Sequence, residues 1–140
     1  TADRIIEHPE GTLSIIDYKT GTLPNRPKIV AFDRQLLIEA AIAEAGGFKG
    51  LDAAPVTEVS HIALKRAFEV KTHEIADADD ISAARTRAEL EQLLTSYTDP
   101  SQGYSSRRAM EGLSYSGDYD QLGRDGEWDI ADTPETIELP

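Results

Sequence analysis

Residues 13–21 read LSIIDYKTG, a short apolar run that ends in Asp-Tyr-Lys and is followed by a Thr-Gly turn. A run of this length bounded by a turn is typical of a strand that is buried on both faces. Because successive side chains of a strand alternate, Asp17 and Lys19 share one face and Tyr18 lies on the other. Charged groups at the end of a buried strand need partners or a metal, since burial of an unpaired charge is costly. The segment therefore predicts a central strand with a polar site at its end.

A second strand is expected just upstream. Residues 2–7 and 12–18 have strand patterns, and Pro9-Glu10-Gly11 between them predicts a hairpin turn. The hairpin would bring the carboxylate of Asp3 close to that of Asp17. Asp-x-Lys also occurs by chance on exposed strands, where it is an ordinary solvated face. The buried strand that precedes it is what favours a catalytic role here.

A pair of carboxylates beside an ammonium group has the composition that phosphodiester hydrolysis requires. Mg²⁺ prefers oxygen ligands, keeps several waters and is usually held by one or two protein carboxylates together with substrate phosphate. The cation lowers the pKa of its bound water and polarises the phosphoryl oxygen, while a lysine positions the nucleophile or stabilises the anionic transition state. Asp3, Asp17 and Lys19 therefore predict a metal-dependent nuclease core that uses Mg²⁺, with Mn²⁺ as an acceptable substitute.

The longer pattern around these residues resembles a known family. The chain is similar to the nuclease domain of the RecB-like branch of the PD-(D/E)XK superfamily at Ala2-Asp3-Arg4-Ile5, Gly11, Ile15–Gly21 and Gln35-Leu36. It also looks like the C-terminal end of AddB proteins of the alphaproteobacterial type at Glu39-Ala40-Ala41, Gly46-Gly47-Phe48, Tyr104–Arg107, Gly117–Leu122, Arg124 and Glu127-Trp128. The resemblance implies an α/β fold with a restriction-endonuclease-like core, in which a mixed central sheet is flanked by helices.

The same resemblance implies roles for particular residues of the first fifty. Asp3 and Asp17 would be the metal-binding carboxylates, and Lys19 would complete the catalytic set. The backbone carbonyl of Tyr18 would be a further metal ligand.

Residues after the central strand are implied to bind substrate. Gln35, which matches the glutamine of the family's following helix, would order the site or contact DNA, and Thr20 would contact DNA beside it. The family often has a tyrosine four residues after that glutamine, where this chain has Glu39. Glu39 could approach a metal, or it could be a surface residue of the helix.

Domain layout and partners follow from the resemblance as well. Residues 1–100 would form a nuclease core fragment that lacks its first helix, because the chain starts two residues before Asp3. Residues 101–140 would form an extended acidic tail that packs on the core or on a partner. The implied partners are DNA and an AddA-like helicase–nuclease subunit, and the implied process is the repair and recombination of double-strand breaks.

The remaining pattern predicts a loop at 24–27, helices at 30–45 and 82–97, and strands at 56–63 and 68–75. Each helix has an apolar stripe that is expected to pack in the core: Phe32, Leu36, Ala40 and Ala43 in the first, and Leu90, Leu93, Leu94 and Tyr97 in the second.

Composition excludes several classes of site. The chain has no cysteine, so it cannot form a disulfide, a zinc–thiolate site or an iron–sulfur cluster from its own residues. No apolar run is long enough to cross a bilayer and no signal peptide is visible, so no membrane partner is expected and the predicted location is the cytoplasm.

Net charge is the main argument against DNA binding. The chain carries −12 overall, whereas nucleic-acid surfaces are normally basic. Residues 1–50, however, have six basic against seven acidic residues, so the excess negative charge lies mostly outside the candidate site. Two other interpretations stay open at this point: a catalytically inactive nuclease fold that serves as a scaffold for a partner helicase subunit or DNA, and an unrelated acidic α/β interaction domain.

Overall fold

The computed structural model describes residues 2–65, 69–75, 80–103, 127, 132, 133 and 135. The chain divides into two compact units, Thr1–Thr95 and Ser96–Pro140. The sheet and the helices that pack on it belong to the first unit. The segments Tyr104–Arg107 and Gly117–Leu122, and also Arg124 and Trp128, lie outside the described residues.

The described chain forms one mixed sheet of four strands in the order β1-β2-β3-β4. The strands are β1 (Arg4–Glu7), β2 (Leu13–Lys19), β3 (Val56–Ala63) and β4 (Glu69–Glu74). β2 runs antiparallel to β1 and parallel to β3, and β4 is antiparallel to β3. The four strands that the sequence predicted are therefore confirmed, with ends that differ by at most two residues.

The predicted hairpin turn lies where β1 and β2 meet. The amide of Gly11 donates to the carbonyl of His8 at 2.9 Å, and the amide of His8 donates to the carbonyl of Thr12 at 2.9 Å. Gly11 has φ of +82°, a left-handed conformation that glycine adopts without a steric penalty. This turn fixes the register in which Arg4 faces Ile16.

The described residues form three helices: α1 (Arg26–Ala31) and α2 (Gln35–Glu44) lie between β2 and β3, and α3 (Ala83–Ser96) follows β4. The prediction of a single helix over 30–45 is wrong, because the chain leaves helical geometry at Phe32 and starts a new helix at Gln35. The predicted loop at 24–27 is also partly wrong. α1 begins within it, since Asn25 accepts a hydrogen bond from the amide of Lys28 and a proline is tolerated in a first helical turn.

The core lies between one face of the sheet and α2. Leu13, Ile15 and Val59 project from β2 and β3 towards the helix, which contacts both strands. The buried hydrophobic cluster consists of Leu13, Ile15, Ile29, Leu36, Leu37, Ala40, Ala43, Val56, Val59, Ile81 and Ala83. Three of the four residues of the predicted first stripe are in this cluster, but Phe32 is 44% exposed because it sits at the break between α1 and α2.

The predicted packing of the second stripe is wrong. Leu90, Leu93, Leu94 and Tyr97 are each between 36% and 59% exposed. α3 buries Ala83 and Thr86 near its start instead, where Arg34 donates to the Thr86 hydroxyl at 3.4 Å and pairs with Glu89 at 3.0 Å. The first two turns of α3 are thereby attached to the segment that starts α2. Among the described helices, none combines the length and apolar character that a membrane span requires.

Candidate active site

The site lies at the C-terminal end of β2, next to the start of α2. Asp17 and Lys19 project from the same face of β2 as Ile15, which is the face that α2 covers. Leu36 and Leu37 are at most 1% exposed and anchor the first turn of α2 in the core. Gln35, the first residue of that turn, is therefore held against the end of β2.

Asp17 is the centre of this arrangement. It is 5% exposed, and its Oδ1 accepts a hydrogen bond of 3.2 Å from Nε2 of Gln35. Its Oδ2 lies 3.0 Å from Nζ of Lys19, an ion-pair distance, although the bond angles leave that oxygen without a hydrogen bond of acceptable geometry. The buried carboxylate is therefore compensated by one amide and one ammonium group.

Lys19 is held from two sides. Its Nζ donates to Oε1 of Gln35 at 3.3 Å, in addition to its contact with Asp17. Burial lowers the pKa of Lys19, but Asp17 outweighs burial, with smaller contributions from Asp33 and Asp3, so the net pKa is raised. The ammonium group is consequently a fixed positive charge at neutral pH, on a side chain that is 29% exposed.

Asp3 reaches the same end of β2 from the hairpin. It lies just before Arg4, which faces Ile16, and its Oδ2 accepts a hydrogen bond of 3.0 Å from the amide of Tyr18. The N–H and C=O of one strand residue point to the same side, so the carbonyl of Tyr18 also faces Asp3. The structure thus attaches Asp3 to the backbone of Tyr18, the residue that follows Asp17 in β2.

Glu39 lies one turn beyond Gln35 on α2 and is only 9% exposed, so its interpretation as a surface residue is wrong. Nε2 of Gln35 donates to its Oε1 at 3.2 Å, whereas its Oε2 is buried without a hydrogen-bond partner. The net pKa of the Glu39 carboxyl is raised, chiefly because the group is buried. The hydrogen bond from Gln35 lowers this pKa, and the negative charges of Asp17 and Asp3 raise it further.

His61 is a residue of this region that the sequence analysis assigned no role. It faces Asp17 across the parallel β2–β3 pair, is fully buried, and has no hydrogen-bond partner at either ring nitrogen. Burial lowers the pKa of its imidazole, against the attraction of Asp33 and Asp17. The position could have been found from the sequence, because His61 follows Val59 by two residues and so shares its buried face.

Thr20, the other predicted substrate-binding residue, lies exposed in the bend directly after β2. It adjoins Lys19 in the chain but is not part of the hydrogen-bonded set around Asp17.

The donor set suits a hard divalent cation. The described residues contain no group of three or more histidine, cysteine, aspartate or glutamate side chains placed to hold a metal. Mg²⁺ needs only one or two protein carboxylates, however, and takes its other ligands from water and phosphate. Asp17 Oδ2 is a buried carboxylate oxygen that lacks a hydrogen bond, and Asp3 and the Tyr18 carbonyl offer further oxygen atoms nearby.

Comparison with known families agrees with this geometry. The profile of the PD-(D/E)XK nuclease superfamily matches residues 1–111, which is most of the chain and includes every residue of the site. The chain therefore belongs to the PD-(D/E)XK nuclease superfamily, and the expected restriction-endonuclease-like α/β fold is confirmed. Membership indicates nuclease activity and the divalent metal that such enzymes usually use. Comparison with curated proteins gave no match, and neither did comparison with solved structures.

Proposed function

We propose that this chain is a Mg²⁺-dependent deoxyribonuclease module of the RecB-like type, working within a helicase–nuclease that processes double-strand breaks. The observation that carries the proposal is the contact set of Asp17, Lys19 and Gln35 at the end of a buried strand. The set lies inside the segment that the nuclease profile matches.

Each residue of the site has a distinct part in this proposal. Asp17 and Asp3 hold the cation, with the carbonyl of Tyr18 as a further oxygen ligand. The cation, when bound, supplies a more acidic water and polarises the scissile phosphate. Lys19 presents its ammonium group to the phosphate and stabilises the negative charge of the transition state. Gln35 keeps Lys19 and Asp17 in a fixed relation, because its amide contacts both.

The acidic charge of the chain limits how DNA is bound. With a net charge of −12, the chain has little long-range attraction for a polyanion. Contact with DNA must then depend on the local positive group at Lys19 and on the bound cation, while a partner supplies the rest of the grip. An AddA-like helicase–nuclease subunit is the partner implied by the resemblance to AddB proteins, and the corresponding location is the cytoplasm.

Cleavage of a labelled DNA oligonucleotide with and without Mg²⁺ tests the proposal. The unaltered chain should cut only with the cation, and Asp17→Asn should lower the rate by about 100-fold or more. Asp52→Asn changes an exposed aspartate outside the site and removes the same charge, so it should cut at the unaltered rate. Equal cleavage by Asp17→Asn would remove Asp17 from catalysis. A folded chain that binds DNA without cutting it, alone or with its partner, would instead support a scaffold role.

A further inference from the structure

Two buried carboxylates of this site share one donor. Nε2 of Gln35 lies 3.2 Å from Oδ1 of Asp17 and 3.2 Å from Oε1 of Glu39. The distance between the two acceptor oxygens is therefore at most the sum of these two hydrogen-bond lengths. Asp17 is 5% exposed and Glu39 9% exposed, so both carboxylates are largely shielded from solvent.

Both carboxylates keep one oxygen without a hydrogen bond. Oδ2 of Asp17 and Oε2 of Glu39 are buried and accept no hydrogen bond among the described residues. Lys19 is 3.0 Å from Oδ2 of Asp17 and offsets that charge, whereas Glu39 forms no salt bridge with a basic side chain among the described residues. A buried carboxylate oxygen without a partner is costly, and two negative charges at this spacing repel each other.

An uncharged residue could perform the structural role that Glu39 has in this site. Glu39 accepts one hydrogen bond from Gln35, and a neutral glutamine could accept the same bond through its amide oxygen. The charge and the unused oxygen are what distinguish glutamate from that alternative. Both properties are those of an oxygen ligand for a divalent cation.

We propose that Glu39 is a ligand of the divalent cation, which it shares with Asp17. The inference rests on the proposed function, because it places a further residue at the same metal. Asp3 and Tyr18 would remain on the hairpin side of Asp17, and water would fill the other positions, as Mg²⁺ favours. Asp17 and Glu39 are close enough to approach one ion, since one amide nitrogen already contacts both.

Binding of Mn²⁺ alone to the full chain, without DNA, tests this assignment. Electron paramagnetic resonance counts free Mn²⁺, and calorimetry gives the dissociation constant. Glu39→Gln should weaken Mn²⁺ binding by about tenfold or more, because it keeps the shape and the bond from Gln35 but loses the anionic oxygen. Asp17→Asn should weaken binding at least as much.

The matched control is Glu91→Gln. Glu91 is exposed on α3, where it pairs with Arg87, and its replacement removes the same charge from the chain. It should leave the Mn²⁺ dissociation constant within about twofold, since an exposed charge is screened by solvent. A loss in Glu39→Gln that Glu91→Gln reproduces would overturn the proposal, because the effect would then come from net charge.

The outcomes separate this inference from the proposed function. Normal Mn²⁺ affinity in Glu39→Gln, with loss in Asp17→Asn, would overturn the role of Glu39 and leave the nuclease proposal intact. Normal affinity in both variants would overturn both. If Glu39→Gln does not fold, Glu39→Asp gives the answer: it keeps the charge but withdraws it by one methylene, so a ligand role requires weaker binding and unchanged binding contradicts it.

Discussion

Asp17 and Gln35 are joined by a hydrogen bond of 3.2 Å that links the end of β2 to the first turn of α2. The amide of Gln35 also accepts from Lys19 at 3.3 Å, so its orientation is fixed by an acceptor on one side and a donor on the other. A strand and a helix that are separated in the chain by α1 and two loops are thus joined at the atoms where chemistry is proposed. The amide of Gln35 is therefore expected to help fix the positions of Asp17 and Lys19.

Replacement of Lys19 should separate metal binding from catalysis. Lys19→Met keeps most of the side-chain volume and removes the ammonium group that faces Asp17. We expect Mn²⁺ binding to persist, because lysine is not a ligand, while Mg²⁺-dependent DNA cleavage falls by about 100-fold or more. Lys49→Met, at an exposed position away from the site, is the control. A parallel loss of Mn²⁺ affinity and cleavage in Lys19→Met would contradict this separation.

Gln35 should contribute to stability as well as to the site. Gln35→Leu leaves Oδ1 of Asp17 and Oε1 of Glu39 without a donor, and we expect the free energy of unfolding to fall by about 1–3 kcal/mol. Gln35→Glu should cost more, since it adds a third negative charge. Urea denaturation of the metal-free protein measures both. The same changes at Gln92, exposed on α3, should have little effect, and equal losses at the two positions would refute the assignment.

Strands were predictable from the sequence because their signals are local. The apolar run of β2, the turn before it and the alternation in β3 each reflect a short stretch of chain. The break between α1 and α2 was not predictable in this way, since residues 30–45 keep a helical apolar pattern throughout. Two local features decide it: the Asn25 cap starts a helix early, and the chain turns at Phe32 before Leu36 enters the core.

Only part of the site could be predicted, for a related reason. Asp17 and Lys19 are close in sequence, so strand geometry alone places them together. The burial of Glu39 depends on how α2 packs against β2, which no local pattern reports, whereas the buried face of His61 follows from its alternation with Val59. For the apolar stripe of α3 the error has the opposite direction, because residues predicted to be buried are exposed. Helical spacing indicated which side chains share a face, but it could not indicate whether that face meets the core.

The contrast between α2 and α3 gives a direct test of the packing. Leu37 is fully buried and Leu94 is 59% exposed. Leu37→Ala should lower the free energy of unfolding by about 2–5 kcal/mol, because it removes buried methyl groups and leaves a cavity. Leu94→Ala should change it by less than about 0.5 kcal/mol. Chemical denaturation of the two variants measures the difference, and a similar loss in both would mean that the α3 stripe is part of a core after all.

His61 should be replaceable by an apolar residue without loss of stability. Its ring is fully buried and both nitrogens lack partners, so the native state carries an uncompensated desolvation cost. His61→Leu, which is close in volume, should raise the free energy of unfolding at pH 7.5 by about 1 kcal/mol. Urea denaturation measures the change. A loss of several kcal/mol would mean that the imidazole makes an important interaction that the structure does not contain.

His61→Leu should also change how the free energy of unfolding depends on pH. Burial lowers the pKa of His61 below its ordinary 6.5, so acidification protonates this residue in the unfolded chain before it does so in the folded one. The unfolded state then binds more protons, and stability falls as the pH drops below about 6.5. His61→Leu removes this contribution, whereas the lowered pKa of His73 affects both proteins alike. The difference in free energy of unfolding between His61→Leu and the unaltered protein should therefore increase as the pH falls from 7.5 to 5.5. A difference that stays constant over that range would show that His61 titrates equally in the folded and unfolded states.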